Sequence, residues 1–242
     1  MPLTRVTITG ADDSVSPAAL ADFSSAYPFV EWGILLSTKR IGEPRYPSLS
    51  WRVRLGKLRK IPPLSLHLCG QSARDILAGD TDLMGALGEE YARVQVNGWV
   101  PSPTFRHLVC HEAREFILQV RGDEFLQPAA DEAAAITAEM DPQFVNGTVS
   151  ALWDCSGGRG LEPFSWPRPP LGLRLGYAGG ITPDNVRDVL GAIGPVSHDF
   201  WIDMESGVRT DDRFDVAKVW RLLETVAPLV QVSGTISERE GA

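Results

Sequence analysis

Residues 171–208, LGLRLGYAGGITPDNVRDVLGAIGPVSHDFWIDMESGV, hold a whole strand–helix–strand unit, and its reading decides the fold. Leu171 to Tyr177 reads as a strand. Thr182-Pro183 reads as a helix cap followed by proline at the first helical position, where a missing N–H costs nothing. Val186, Val189, Leu190 and Ile193 then share one face of an amphipathic helix, and Phe200 to Met204 is the next strand. Two strands joined through a helix are parallel neighbours linked by a crossover.

The same alternation extends outward along the chain. Earlier strand-like runs are Leu3 to Thr9, Phe29 to Leu36, Leu64 to Cys69, Ala92 to Asn97, Phe116 to Val120 and Thr148 to Trp153. Ser16-Pro17 and Gln127-Pro128 open helices, the second running to about Met140. The last helix sets Val216, Val219, Trp220, Leu223 and Val226 on one face. Eight strands, most followed by a helix, in 242 residues predict a single-domain (β/α)8 barrel over residues 1–232. The rival is an open doubly wound sheet, but the turn after the first strand, Thr9-Gly10-Ala11-Asp12-Asp13, lacks the Gly-rich dinucleotide fingerprint. The polar tail, residues 233–242, is expected to be disordered.

Composition narrows the function classes. A net charge of −8 argues against nucleic acid or an anionic membrane as partner. No apolar run reaches membrane-spanning length and no signal peptide is visible. Three cysteines, Cys69, Cys110 and Cys155, form no disulfide framework, so a cytoplasmic protein is expected. His107 and His111 would share a helix face, yet they read as surface histidines, and neither a metal nor a cofactor is expected. Trp51 to Lys60 reads as a solvated basic helix face. His67, inside the third strand, reads as a hydrogen-bonded core residue.

Candidate chemistry gathers after the late strands. Gly179 and Gly180 follow the seventh strand, and Ser206 and Gly207 follow the eighth. Loops at these places in barrels frequently hold a phosphate, so these four residues are the expected phosphate site. Asp154 ends the sixth strand, where catalytic groups of barrels sit, and Gly157, Gly158 and Gly160 follow it.

These segments resemble the phosphoribosylanthranilate isomerase family. Ala178 to Val186, followed by Asp203-Met204-Glu205-Ser206-Gly207-Val208, is similar to the end of that enzyme. Trp153-Asp154 with Gly157-Gly158-Arg159-Gly160 resembles its strand-six aspartate and Gly-Gly-Thr-Gly loop. Val94 to Gly98 resembles its Val-Gln-Leu-His-Gly strand, with Asn97 in place of His. Gly42 to Tyr46 resembles its Ser-Pro-Arg-Tyr loop, and Thr7 to Gly10 its Lys-Ile-Cys-Gly strand. The resemblance implies a cofactor-free isomerase of tryptophan biosynthesis, aldose–ketose in type, acting on a phosphorylated small molecule as a monomer or homodimer. It implies Asp154 as general acid. It places substrate on Arg45, Asn97, Asp203, Gly157, Gly158 and Gly160.

Thr9 breaks the pattern, because the family's general base is a cysteine there. A threonine hydroxyl has no accessible conjugate base near neutral pH without a neighbour to activate it. Cys69, Asp12 and Asp13 are the replacements within reach. The alternatives are a different lyase or isomerase reaction on a related phosphosugar, and a non-catalytic protein that binds a phosphorylated ligand. Glu205, beside the phosphate turn, would oppose an anion if it faced inward.

Overall fold

The computed structural model describes residues 3–112, 114–140, 148–157 and 159–231. The strands are β1 (Leu3–Thr9), β2 (Val30–Leu36), β3 (Leu64–Leu68), β4 (Tyr91–Val96), β5 (Glu115–Val120), β6 (Thr148–Asp154), β7 (Leu175–Ala178) and β8 (Phe200–Met204). Each pairs in parallel with the next, and β8 returns to β1, closing the barrel. The helices are α1 (Pro17–Ala26), α2 (Leu49–Gly56), α3 (Gln71–Leu77), α4 (Thr81–Ala86), α5 (Pro103–Val109), α6 (Leu126–Glu139), α7 (Val186–Ile193) and α8 (Val216–Val226). A short hairpin, Arg209–Thr210 with Arg213–Phe214, follows β8. The expected single-domain (β/α)8 barrel is the observed one. Among the described residues no helix is long and apolar enough to cross a membrane. The tail expected to be disordered lies outside the described residues.

Alternation along each strand divides the molecule. Outward residues such as Val6, Ile8, Ile34, Val94, Phe116 and Ile202 are buried under the helices. Inward residues are largely polar. α1, α2 and α5 begin at serine caps, with Ser16, Ser48 and Ser102 each accepting a backbone N–H.

Two local expectations are corrected and a third is refined. β7 starts at Leu175 rather than Leu171: Leu173 N–H closes a turn onto Pro170, Gly172 has φ 82°, and Leu171 is exposed. Thr182 caps the turn that leads into α7: its Oγ1 accepts from Asp184 N and Asn185 N at 3.3 Å, and Val186 N donates to its carbonyl at 3.0 Å. Asn185 Oδ1 in turn accepts from Thr182 N and Oγ1, and the regular helix begins at Val186. On α8 the buried face is Val219, Leu222, Leu223 and Val226. Val216 and Trp220 lie off that stripe, and Trp220 packs tilted against Phe23 and edge-on to Tyr27.

At the N-terminal floor of the barrel, Arg93 Nη1 donates to Glu31 at 2.8 Å and Nη2 to Glu115 at 3.1 Å. Thr7 and Arg5 also donate to Glu31, and Ser150 donates to Glu115. Arg93 also lies 4.4 Å from the Trp201 ring centroid. Trp201 with Ile117, Leu152 and Ala178 forms an apolar cluster inside the barrel. Gly176 makes room for the Trp201 ring, which a β-carbon there would strike.

Candidate active site

The C-terminal strand ends open into a cavity of about 900 Å³. Thr9, Asn97, Asp154 and Asp203 line it from the strand ends, and Cys69 from just past β3. Arg45, Gly157, Gly160, Gly179, Gly180, Ser206 and Gly207 line it from the loops. Gly158 lies outside the described residues.

Asp154 is held from three directions. Ser156 donates to Oδ1 through its N–H at 3.1 Å and its hydroxyl at 2.7 Å, and Gln119 Nε2 donates to Oδ2 at 3.1 Å. The Ser156 hydroxyl also accepts from Gly160 N, so the loop after β6 folds back to brace the carboxylate. Gln119 is itself oriented, because its Oε1 accepts from Gly98 N at 2.9 Å.

Asp203 stands two strands along the same rim. Asp154 pairs in register with Ala178, and Ala178 with Asp203, so the two carboxyls occupy one level on either side of a small residue. Thr9 Oγ1 donates to Asp203 Oδ1 at 2.7 Å. Burial pushes the Asp203 carboxyl up to about 8; the nearby Glu205, Asp154 and Glu31 add to the rise, while the Thr9 hydrogen bond opposes it. Gly33 on β2 gives this corner its room, since a β-carbon there would collide with the Thr9 hydroxyl and the His67 ring.

His67 is buried as expected, but its Nε2 has no hydrogen-bond partner among the described residues, and the residue lines the cavity. Burial, with Arg93 adding to it, lowers its pKa to about 3, so the ring is neutral. Cys69 accepts a hydrogen bond from Asn97 Nδ2 at 3.1 Å. Burial pushes its thiol up to about 11, leaving little thiolate at neutral pH. Asp12 and Asp13 do not line the cavity. Asp12 accepts from Arg209 and from the N–H groups of Arg45 and Ser14, while Asp13 holds Ser48. Both brace the loops after β1 and β2.

At the turns after β7 and β8, Gly179 and Gly180 have φ of 115° and 63°. Their missing β-carbons make room for Leu161 and Glu162, and that of Gly207 makes room for the Ile181 carbonyl. These glycines therefore let three loops pack backbone to backbone at the cavity edge. Arg45, at φ 76°, reaches the same edge: Nη1 donates to Glu205 Oε1 at 2.8 Å and to Ser206 Oγ at 3.2 Å, and Nε donates to Asp212 at 3.0 Å. Glu205 thus faces the mouth, paired with the arginine. Burial raises its pKa against the pull of Arg45.

Gln119 and Ser156 are contacts that the sequence reading did not single out. Gln119 is the one polar residue in Phe116 to Val120, a break that marks an inward position. His107 and His111 stack ring to ring on the surface of α5 and just beyond it, and no group of metal-binding side chains occurs among the described residues.

No protein-family model matches the chain, and no curated protein matches it in sequence. Solved structures do match in fold. Phosphoribosyl anthranilate isomerase from Thermotoga maritima superposes with a TM-score of 0.60 at 17% identity, over 93% of this chain and all (100%) of that one. TrpF from Jonesia denitrificans gives 0.58 at 17% identity, over 93% and 98% of the two chains. N-(5'-phosphoribosyl)anthranilate isomerase from Pyrococcus furiosus gives 0.54 at 14%, over 93% and 99%. At such identities the likeness is one of fold.

Proposed function

We propose that the protein is a phosphoribosylanthranilate isomerase-like enzyme, catalysing a cofactor-free Amadori rearrangement of a phosphorylated aminoaldose to an aminoketose. The observation that carries this reading is the placement of Asp154. Its carboxyl group is fixed by Gln119 and Ser156 in a cavity whose rim includes Gly179, Gly180, Ser206, Gly207 and Arg45. That edge is suited to a phosphate, with close-approach backbone and a guanidinium. Fold likeness to isomerases of this type over 93% of the chain supports the same reading.

Asp154, as general acid, gives a proton to the ring oxygen as the C1–O bond breaks, and the nitrogen lone pair forms the iminium. Removal of the C2 proton then gives an enolamine that ketonises. Phosphoribosylanthranilate is the substrate to test, by loss of its anthranilate fluorescence. Asp154→Asn is expected to lower kcat by about 10²–10⁴-fold while inorganic phosphate binds within about twofold of wild type. Equal loss of turnover and phosphate affinity would count against the acid role, and an inert wild type against the reaction.

A further inference from the structure

We infer that Asp203 is the general base of this isomerisation and that Thr9 is the residue that positions it. The assignment rests on the isomerase reading, and it moves the base from β1, where a thiol would stand, to β8. Asp203 is 5% exposed and lines the cavity. One oxygen, Oδ1, is taken by the Thr9 hydroxyl at 2.7 Å, while Oδ2 receives no hydrogen bond from a described residue. Because Thr9 spends its proton on Asp203, it serves as a donor and not as the base. Asp154 and Asp203 flank Ala178 at one level, roughly 9–10 Å apart at the backbone by strand spacing, which lets their carboxyls bracket a sugar.

The protonation behaviour fits. A carboxyl pushed up to about 8 by burial is a far stronger base than an ordinary aspartate, and it still ionises near neutral pH. The groups facing it are Glu31 from β2, Asp154 from β6 and Glu205 after β8, the last paired with Arg45, while His67 on β3 is neutral throughout. The other candidates are weaker on the same grounds. Cys69 stays a thiol, and Asp12 is spent on Arg209.

In the step itself, ionised Asp203 takes the proton from C2. The C2–H electron pair becomes the C1=C2 bond, and the iminium π pair returns to nitrogen. The enolamine then accepts the proton back at C1 as its hydroxyl proton leaves to replace the one Asp154 gave. No electron is gained or lost overall.

The test is the pH profile of kcat/KM with phosphoribosylanthranilate for wild type, Asp203→Asn, Thr9→Val and Thr9→Ser, beside inorganic phosphate affinity for each. With Asp154 still protonated, as its acid role requires, wild-type kcat/KM should rise with pH around a midpoint near 8. Asp203→Asn should lose about 10²–10⁴-fold in turnover and keep its phosphate affinity. Thr9→Val removes a hydrogen bond to the ionised form, so its midpoint should move up by about half a unit or more, and Thr9→Ser should restore it. An active wild type with Asp203→Asn above about a tenth of its rate, or with an unmoved midpoint in Thr9→Val, would overturn the assignment while leaving the isomerase reading standing. An inert wild type would overturn both.

Discussion

At the floor of the barrel, Glu31 and Glu115 share Arg93, with Thr7, Ser150 and Arg5 completing their hydrogen bonds. At the mouth, Asp154, Asp203 and Glu205 face one cavity, and Arg45, one of the arginines that line it, is bound to Glu205. Both ends bury carboxylates, and only their partners differ. Burial alone would push Glu115 up, but Arg93, the Ser150 hydroxyl and Arg174 hold it below the usual carboxylate range. Asp203, with a single hydroxyl as donor and other carboxylates nearby, goes the opposite way. The floor uses its charges to stay folded, whereas the mouth keeps a carboxyl that gains and loses its proton near neutral pH.

Removing Arg93 is the harshest way to break this contrast. Arg93→Ala leaves Glu31 and Glu115 buried without their cation, and a loss of about 3–5 kcal/mol in unfolding free energy is expected. Chemical denaturation measures it. A loss under about 1 kcal/mol would mean that the floor carboxylates find other partners and that the two ends are alike.

An effect of opposite sign is expected at the mouth. The folded-state pKa of Asp203 lies above its unfolded value, so its contribution is fully present below about pH 4 and is lost as pH rises toward about 8. In that window the folded protein holds a proton that the unfolded chain has released, and the ceiling on the slope is about 1.4 kcal/mol per pH unit. Asp203→Asn keeps an acceptor for Thr9 and never ionises. It is therefore expected to be more stable than wild type near pH 7.5, by up to about 5 kcal/mol if the full slope holds across the window, and indistinguishable near pH 4. Thermal unfolding at the two pH values checks this. A stability gain that does not change with pH would remove the titrating carboxyl from the explanation.

The floor and the mouth were not equally legible in the sequence. The barrel follows from strand–helix alternation, because apolar periodicity is a local property that one segment carries by itself. Asp154 and the glycines at 179 and 180 could be picked out from their places at and after strands, and Arg45 from the family resemblance, and all four line the cavity. The pairing of Thr9 with Asp203 was not: the two lie 194 positions apart and meet because β8 closes on β1. Nor was the Arg93 network, which joins five strands, although an arginine in Ala92 to Asn97 and a glutamate in Phe29 to Leu36 are polar breaks in buried runs. The thiol of Cys69 reads as a candidate base until the depth of its burial is known.

The finest difference concerns Glu205, which does at the mouth what Glu31 does at the floor, but half in solvent. Its pair with Arg45 is 22% exposed on the acid and 27% on the arginine, so its net worth to stability is about 0–1 kcal/mol. Its cost to an incoming anion is another matter, since it both repels the charge and occupies the guanidinium that reaches Ser206. Glu205→Gln keeps a side chain of the same shape without the charge. It is expected to tighten inorganic phosphate about fivefold, roughly 1 kcal/mol, while moving unfolding by less than that. Titration calorimetry at low ionic strength measures the gain, and added salt should erode it. If the variant bound phosphate no better than wild type, the arginine would have to release its glutamate at no cost, and Arg45 would then belong to the loop brace with Asp12 and Asp212 rather than to the anion edge.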